Sequence, residues 1–468
     1  MTTITLKSYT RSKHQISTVY GVDDLQFTTS MWYHDVNFYD LENIYGKDYM
    51  DRVYFHIVVF DMNKLQSVKP KHIDLGPYER YHTVEFENLW LKHFSGAFSQ
   101  WLYENDLHDY KGPTFLHKAN DKKFNAVETT APDGPEVLSL NGGGKDSLLS
   151  MSIFDKVGVE YGTLVFSSSV YGTSRLQLRL TGDLVKNCSK SHRHHQLAMY
   201  DDFLDSPITD LRDDVDIKTL QEDETIKSVF SVLPFVLQYR YRYVNLGHEK
   251  SAEYPNLIWD KNGLPVNHQY CKSIAAQILE DTYIKNNLVS NCTFFSVLKP
   301  LNDVMIFSML NSVDPKYIPY THSCNKIKPW CKRCAKCAYI WLAFMAYQPT
   351  NLIDSIFNEN LFDVDEIQIF YRQLLGLEKH NAFECVGQID ETRLAFELCR
   401  RKGLKGKAMD IYIDEVSGRY DQDSAIMKLT EVDTDYDRIP SKFAEDIMAL
   451  FSEQEKVARD FLKGKLIK

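Results

Sequence analysis

In the stretch VLSLNGGGKDSLLS, Val137 to Ser150, an apolar run meets three glycines, then Lys145, Asp146 and Ser147, and returns to apolar residues. A strand that turns into a helix through such a loop aims backbone N–H groups and the positive end of the helix dipole at one anion-sized place. Gly142, Gly143 and Gly144 permit positive φ and a close approach of the backbone to a phosphate. Asn141 opens the loop, Lys145 adds charge and Ser147 adds a hydroxyl donor; Asp146 either caps the helix or holds a Mg2+ that bridges phosphates. The spacing is neither GxxxxGK[ST] nor GxGxxG, and a glycine triplet alone also suits a tight turn. The order strand, glycines, Lys-Asp-Ser, helix predicts a phosphate cradle.

A second group is metal-ligating. Of the nine cysteines, Cys324, Cys331, Cys334 and Cys337 fall in SCNKIKPWCKRCAKCAY with the pattern C-x6-C-x2-C-x2-C. In a reducing compartment such a cluster reads as metal ligands before it reads as disulfides. Four thiolates close a tetrahedral shell, so the expectation is a structural Zn2+, with an iron–sulfur cluster as the alternative. Lys326, Lys328, Lys332, Arg333 and Lys336 would offset part of the negative charge.

Polar residues also gather in four further stretches. NLGHEKSAEYPN, Asn245 to Asn256, places His248, Glu249, Lys250 and Ser251 at an expected strand end, where open α/β sheets bind ligands. GLPVNHQYCKS sets Asn267, His268, Gln269 and Lys272 ahead of an amphipathic helix, and FNENLFD and EKHNAFECVGQIDETR follow the cysteines, the latter with Glu384 and Cys385. Taken singly, each also reads as a capped helix end or a polar turn, and Cys385 as a buried inert thiol.

The elements that must position these groups are legible in outline. EVLSL predicts a strand, DSLLSMSIFDKVG a helix, GTLVFSSS a second strand, and TIKSVFSVLPFVLQYRYRYVNLG a helix leading into another strand. That alternation favours a parallel sheet with helices on both faces. Before it, RVYFHIVVFDM, Arg52 to Met62, reads as a strand from its β-branched and aromatic residues. In Val84 to Asp106, Phe86, Trp90, Phe94, Ala97, Phe98, Trp101 and Leu102 recur at helical spacing and predict a core face. After Ala338 the chain reads as largely helical, ending in an amphipathic charged helix from Ser441.

The totals exclude several classes. With 468 residues, 44% hydrophobic and 25% charged, the chain is an ordinary globular protein of two or three domains. A net charge of −10 argues against a broad nucleic-acid surface while leaving room for one local anion pocket. The start lacks the apolar core of a signal peptide, and YIWLAFMAY is too short to span a bilayer, so a cytoplasmic protein without membrane partners is expected. NAVETTAPDGPE marks a boundary, giving an aromatic-rich α+β domain over 1–130, a nucleotide domain over 131–322, the cysteine site and helical substrate region over 323–404, and a helical tail over 405–468.

The loop LNGGGKDSL resembles the SGGxDS pyrophosphate loop of the N-type ATP pyrophosphatases, with Gly142 where many members carry serine. Together with the cysteine spacing it also resembles the 7-cyano-7-deazaguanine synthases, which are much shorter. Adding HEKSA, VNHQYCKS, SCNKIKPWCKRCAKCAYIWLAF, FNENLFD and HNAFECVGQIDETR in this order, the stretch Val137–Arg400 resembles the UDP-N-acetylmuramoyl-L-alanyl-L-glutamate epimerase (MurL) family; Lys250 stands where arginine is expected. The resemblance implies a PP-loop fold and ATP-dependent epimerisation of a terminal L-glutamate in a nucleotide-peptide substrate, with release of AMP and pyrophosphate. It makes Asp146, Glu249, His268, Glu384 and Cys385 candidates for catalysis, and Ser251, Asn267, Gln269 and Lys272 candidates for substrate contact. An amide- or nitrile-forming ligase would share the adenylation, and a regulatory protein would bind ATP without releasing pyrophosphate.

Overall fold

The computed structural model describes residues 2–203, 206, 208 and 224–466. Its strands are β1 (Thr3–Arg11), β2 (Gln15–Val22), β3 (Leu25–Tyr33), β4 (His72–Asp74), β5 (Thr114–Phe115), β6 (Val137–Leu140), β7 (Tyr161–Ser168), β8 (Arg193–Asp201), β9 (Tyr243–Asn245), β10 (Leu257–Ile258), β11 (Pro265–Val266) and β12 (Thr293–Phe295). The helices that matter for the site are α1 (Lys47–Asp61), α2 (Val84–Ala97), α3 (Lys145–Val157), α4 (Ser174–Cys188), α5 (Glu224–Ser231), α6 (Ile274–Asn287), α7 (Asp303–Leu310), α8 (Ala335–Tyr347), α9 (Ile389–Arg401) and α10 (Ser441–Leu466).

Among the described residues, ten strands form one mixed sheet in the order β12-β9-β6-β7-β8-β3-β2-β1-β4-β5. The half from β12 to β8 is parallel, as the strand–helix alternation predicts. β7 is buried along nearly its whole length, the mark of a central strand covered on both faces. Neighbouring residues divide between the faces: Val137 and Phe295 join one apolar cluster, with α3, α8 and α10, while Leu138 and Phe294 join the other, with α1 and α5. Helices therefore cover both sides.

The antiparallel strands β1 to β3 extend the same sheet, because β3 pairs with β8 through Met31 and Met199. A buried lysine locks that junction: Lys64 Nζ donates to Thr29 Oγ1 at 2.5 Å, to Asp61 Oδ2 at 2.9 Å and to Asp201. Buried charges are tolerable where they are paired in this way.

Arg52 to Met62 is the helix α1 and its exit, not a strand. Residues 52–61 are buried throughout, so the helix has no polar face and its apolar run carries no helical period. A short apolar run of that kind cannot be told from a buried strand by pattern. The aromatic stripe, by contrast, behaves as expected: Phe86, Trp90 and Phe94 are buried on α2, and after a break at Phe98 so is Trp101 on the short helix Ser99–Glu104. The charged tail forms α10, with Ile447, Phe451 and Leu462 on its packed face; the last two residues lie outside the described ones.

The topology decides where a ligand can sit. From β6 the chain runs through β7 to β8 on one side, and then returns to place β9 and β12 on the other. β6 and β9 are thus adjacent and parallel, with Ser139 opposite Asn245, and the glycine loop and His248–Glu249 leave the same edge side by side. Such switch points leave a crevice outside the carboxyl ends of the strands.

Candidate active site

The crevice is a cavity of about 320 Å3 lined by both chain exits, by the 268–272 segment, by the segment before the first clustered cysteine, and by Cys385. The glycine loop is built into it tightly. Gly143 has φ +82°, and a Cβ there would lie 1.9 Å from Cε1 of His322, whose backbone N–H donates to Gly143 O at 2.8 Å. At Gly144 a Cβ would meet Ser323 Oγ at 2.7 Å, whereas nothing lies within 4 Å at Gly142. Positive φ is therefore needed at one glycine of the three, and close approach at two. Gly143 N–H donates to Asn141 Oδ1 at 2.9 Å and Gly142 N–H to Ser147 Oγ at 3.1 Å, which holds the loop open around the first turn of α3.

Lys145 does not reach into the cavity. Its buried Nζ lies 2.6 Å from both Asp146 Oδ1 and Asp303 Oδ1, and Asp303 Oδ2 accepts from Tyr339 at 2.9 Å. Ser251 belongs to the same scaffold, donating to Glu391 Oε1 at 2.9 Å and receiving the Asp303 N–H. This network ties α3, α7, α8 and α9 together behind the loop and leaves Asp146 on the cavity wall. Asn267 is likewise a turn residue, its Oδ1 accepting the Gln269 N–H at 2.8 Å.

The wall carries a dense set of charges. Glu249 is buried, and its Oε2 has no hydrogen-bond partner among the described residues. Burial alone would raise its pKa, but Lys272, 4.0 Å away, with Lys145 and Lys336 holds the carboxyl well below the usual range. Cys385 Sγ lies 3.9 Å from His268 Nε2, and His268 Nδ1 meets Gln100 Oε1 at 2.6 Å. Burial opposes ionisation of this thiol, yet Lys272, His268 and Lys336 bring it down to about 5. A thiol so placed is held as thiolate at neutral pH, the form that reacts. Glu384 lies off the wall, accepting from Asn325 Nδ2 at 2.9 Å, and burial raises its carboxyl.

The difference between this thiol and others is measurable. Burial pushes Cys188 and Cys399 up to about 12. Peptide-mapped alkylation by iodoacetamide at pH 7 should therefore label Cys385 and spare those two. The rate at Cys385 should hold as pH falls to about 6 and drop tenfold per unit below pH 5, because the thiolate is what reacts. A rate still rising between pH 7 and 9 would remove the thiolate assignment.

Several wall residues were read from the sequence for other roles or not at all. Lys328 donates from Nζ to His322 O at 3.0 Å, and burial lowers it to about 8; Lys336 donates to Cys385 O. Both lie in the cysteine stretch as charge partners of a metal, but they face the cavity. Cys271 and His322 had no chemical signal beyond residue type. The cysteine stretch is visible in the pattern; the direction of its lysines is not.

The four cysteines come together as predicted. Their Sγ atoms lie within 4.8 Å of one another, with Cys324–Cys334 at 3.9 Å and Cys331–Cys337 at 3.8 Å. Backbone N–H groups of Lys326, Ile327 and Cys331 point at Cys324 Sγ, that of Arg333 at Cys331 Sγ and that of Cys337 at Cys334 Sγ, each at 3.4 Å. Such donors stabilise thiolates, and the set could bind zinc. No helix among the described residues is long and apolar enough to cross a membrane.

Comparison with known proteins places the chain. The MurL N-terminal domain model matches residues 224–297 and the MurL C-terminal domain model matches residues 320–423; the glycine loop lies outside both segments. A UDP-N-acetyl-alpha-D-muramoyl-L-alanyl-L-glutamate epimerase of a Micromonospora strain is 29% identical over 280 residues, 56% of each chain. Proteins of the same name from Salinispora tropica and Xanthomonas oryzae are 28% and 26% identical, over 57% and 45% of this chain and 56% and 48% of theirs. The chain thus spans about half the length of the curated relatives it matches. The MurL N-terminal and C-terminal domain models are thus matched in order along the chain, which is similar to the MurL proteins over these segments.

Proposed function

We propose that this protein is an ATP-dependent epimerase that adenylates the terminal glutamate carboxylate of UDP-N-acetylmuramoyl-L-alanyl-L-glutamate, or of a similar peptide, and inverts its α-carbon in the cytoplasm. The observation that carries the reading is the placement of Cys385 Sγ 3.9 Å from His268 Nε2, with Lys272 on the same wall, in the same cavity as the glycine loop. The names of the relatives support the substrate.

The chemistry follows from charge. A hydrogen beside a carboxylate is very weakly acidic, since the carbanion would share its charge with an anion. When a carboxylate oxygen displaces pyrophosphate from the α-phosphorus of ATP, that charge is removed and the neighbouring C–H becomes acidic enough for a side chain. Gly142 to Gly144, Asn141 and Ser147 would hold the phosphates, with Mg2+ on Asp146; Lys328 and Lys336 are the cations that face them. Lys145 acts from behind, fixing Asp146. Glu249, Gln269 and Lys272 would orient the peptide. Water finally cleaves the mixed anhydride to the carboxylate and AMP. Zinc on the four cysteines would be a structural cross-link with no part in these steps.

The test is incubation with ATP, Mg2+ and the L-glutamyl substrate in heavy water. Pyrophosphate, D-glutamate and one deuterium at its α-carbon are expected, with no other mass change. A product carrying an added amine, with loss of one water, would instead establish a ligase, and ATP binding without pyrophosphate would establish a non-catalytic binder.

A further inference from the structure

A second cysteine lines the same cavity. Cys271 sits in the short helical turn Tyr270–Lys272, and its Sγ lies 3.9 Å from Nε2 of His93 on α2. The other ring nitrogen of His93 faces Oε1 of Glu280 on α6 at 3.9 Å. His93 and Glu280 are each about 1% exposed, and neither His93 Nδ1 nor Glu280 Oε1 has a hydrogen-bond partner among the described residues. Buried polar atoms left so are costly and call for an explanation beyond packing. The turn is also held firmly: a Cβ on Gly96 of α2 would lie 2.3 Å from the Tyr270 ring, so the helix presses directly on the residue before Cys271.

The cavity therefore presents two cysteines, each against a histidine whose far nitrogen faces a side-chain oxygen: Cys385 with His268 and Gln100, and Cys271 with His93 and Glu280. Inversion requires that a proton leave one face of a carbon and arrive at the other, which a single rigid group does poorly. Resting on the epimerase reading above, we propose that Cys271 is the second acid/base group of the reaction, delivering a proton to the face of the α-carbon opposite Cys385, with His93 and Glu280 as its positioning residues.

The balance is simple. Cys385 as thiolate takes the α-hydrogen: an S–H bond forms, the C–H bond breaks, and the electron pair moves onto the adenylated carbonyl. The thiol of Cys271 then gives its proton to the opposite face as the pair returns to carbon. Proton exchange with water restores both sulfurs. Burial lowers His93 to about 3 and raises Glu280 well above the usual range, so both positioning residues are uncharged at neutral pH.

The experiment follows isotope and configuration in wild type and two variants. In heavy water, wild type should give D-product carrying solvent deuterium from the first turnover, while unreacted L-substrate keeps its protium. Cys271→Ser should lose inversion by about 100-fold or more, a general acid/base effect. It should still release pyrophosphate and exchange deuterium into the L-glutamyl α-carbon, because Cys385 remains. Cys385→Ser should lose both exchange and inversion. Inversion by Cys271→Ser at the wild-type rate, or wild-type D-product that retains the substrate's own α-hydrogen, overturns the proposal. If Cys271→Ser does not fold, the wild-type isotope pattern decides alone. Absence of pyrophosphate and D-glutamate with wild type would overturn the epimerase reading and this proposal with it.

Discussion

Replacing Gly143 by alanine should abolish ATP-dependent pyrophosphate release. At φ +82° a non-glycine residue is strained, by roughly 1–3 kcal/mol. The added methyl would also sit 1.9 Å from Cε1 and 2.2 Å from Nε2 of the His322 ring, so ring and loop cannot both stay in place. The buried ring is constrained as well, with its backbone N–H on Gly143 O and its Nε2 3.5 Å from Thr181 Oγ1 on α4. Overpacking of this kind costs about 1–3 kcal/mol more. If the loop holds the phosphates as proposed, shifting it by about 1 Å is enough to lower the rate about 100-fold, so a loss of that size or larger is expected. Gly142→Ala supplies the contrast. No atom lies within 4 Å of its Cβ position and its φ is ordinary, so its melting temperature should match wild type while Gly143→Ala melts lower. Pyrophosphate release by Gly143→Ala near the wild-type rate would show that the loop is not the phosphate cradle.

Removing the metal should have an effect of comparable size on stability. Purified protein should contain one zinc per chain and no iron, measured by plasma emission, and Cys334→Ser should lose it. Cys334 also caps α8, its Sγ accepting the Cys337 N–H. α8 is buried along its whole length in the larger apolar cluster, so its start cannot loosen without disturbing that core. Structural zinc sites contribute about 10–16 kcal/mol of binding free energy to folding in small peptides, so losing one ligand should cost several kcal/mol here. The active site should feel it too. His322, Ser323, Asn325, Lys328 and Lys336 all line the cavity within a few positions of a clustered cysteine, so a zinc cross-link there would help hold them in place. Denaturation by guanidinium should therefore occur at distinctly lower concentration in Cys334→Ser, with pyrophosphate release lost first. Equal stability of zinc-free and zinc-loaded protein would mean that hydrogen bonds and packing alone order the stretch.

Much of this could be read along the chain. The strand, glycine loop and helix from Val137 onward have strong local signals, because a buried parallel strand must be apolar and a tight turn must be glycine. The cysteine spacing is also local: it brings four sulfurs within reach whatever the rest of the fold does. The helix from Arg52 was illegible for the opposite reason, since burial on every face erases periodicity.

The roles of individual charges were another matter. Lys145 reads as a phosphate ligand beside three glycines, yet it turns away because Asp303, 158 positions later, lies 2.6 Å from it. Lys328 and Lys336 read as partners of the metal, yet they face the cavity. Cys271 and Cys385 carry no periodic or spacing signal that distinguishes them from Cys292 or Cys399. Only folding sets Lys272 and His268 beside Cys385, and His93, with Glu280 behind it, beside Cys271. The sequence by itself determined which segments turn, cap and ligate, because those properties depend on neighbours a few bonds away. The tertiary structure alone decided which side chains share the cavity and in what protonation state, because electrostatic energies depend on distances and burial that no stretch of chain contains.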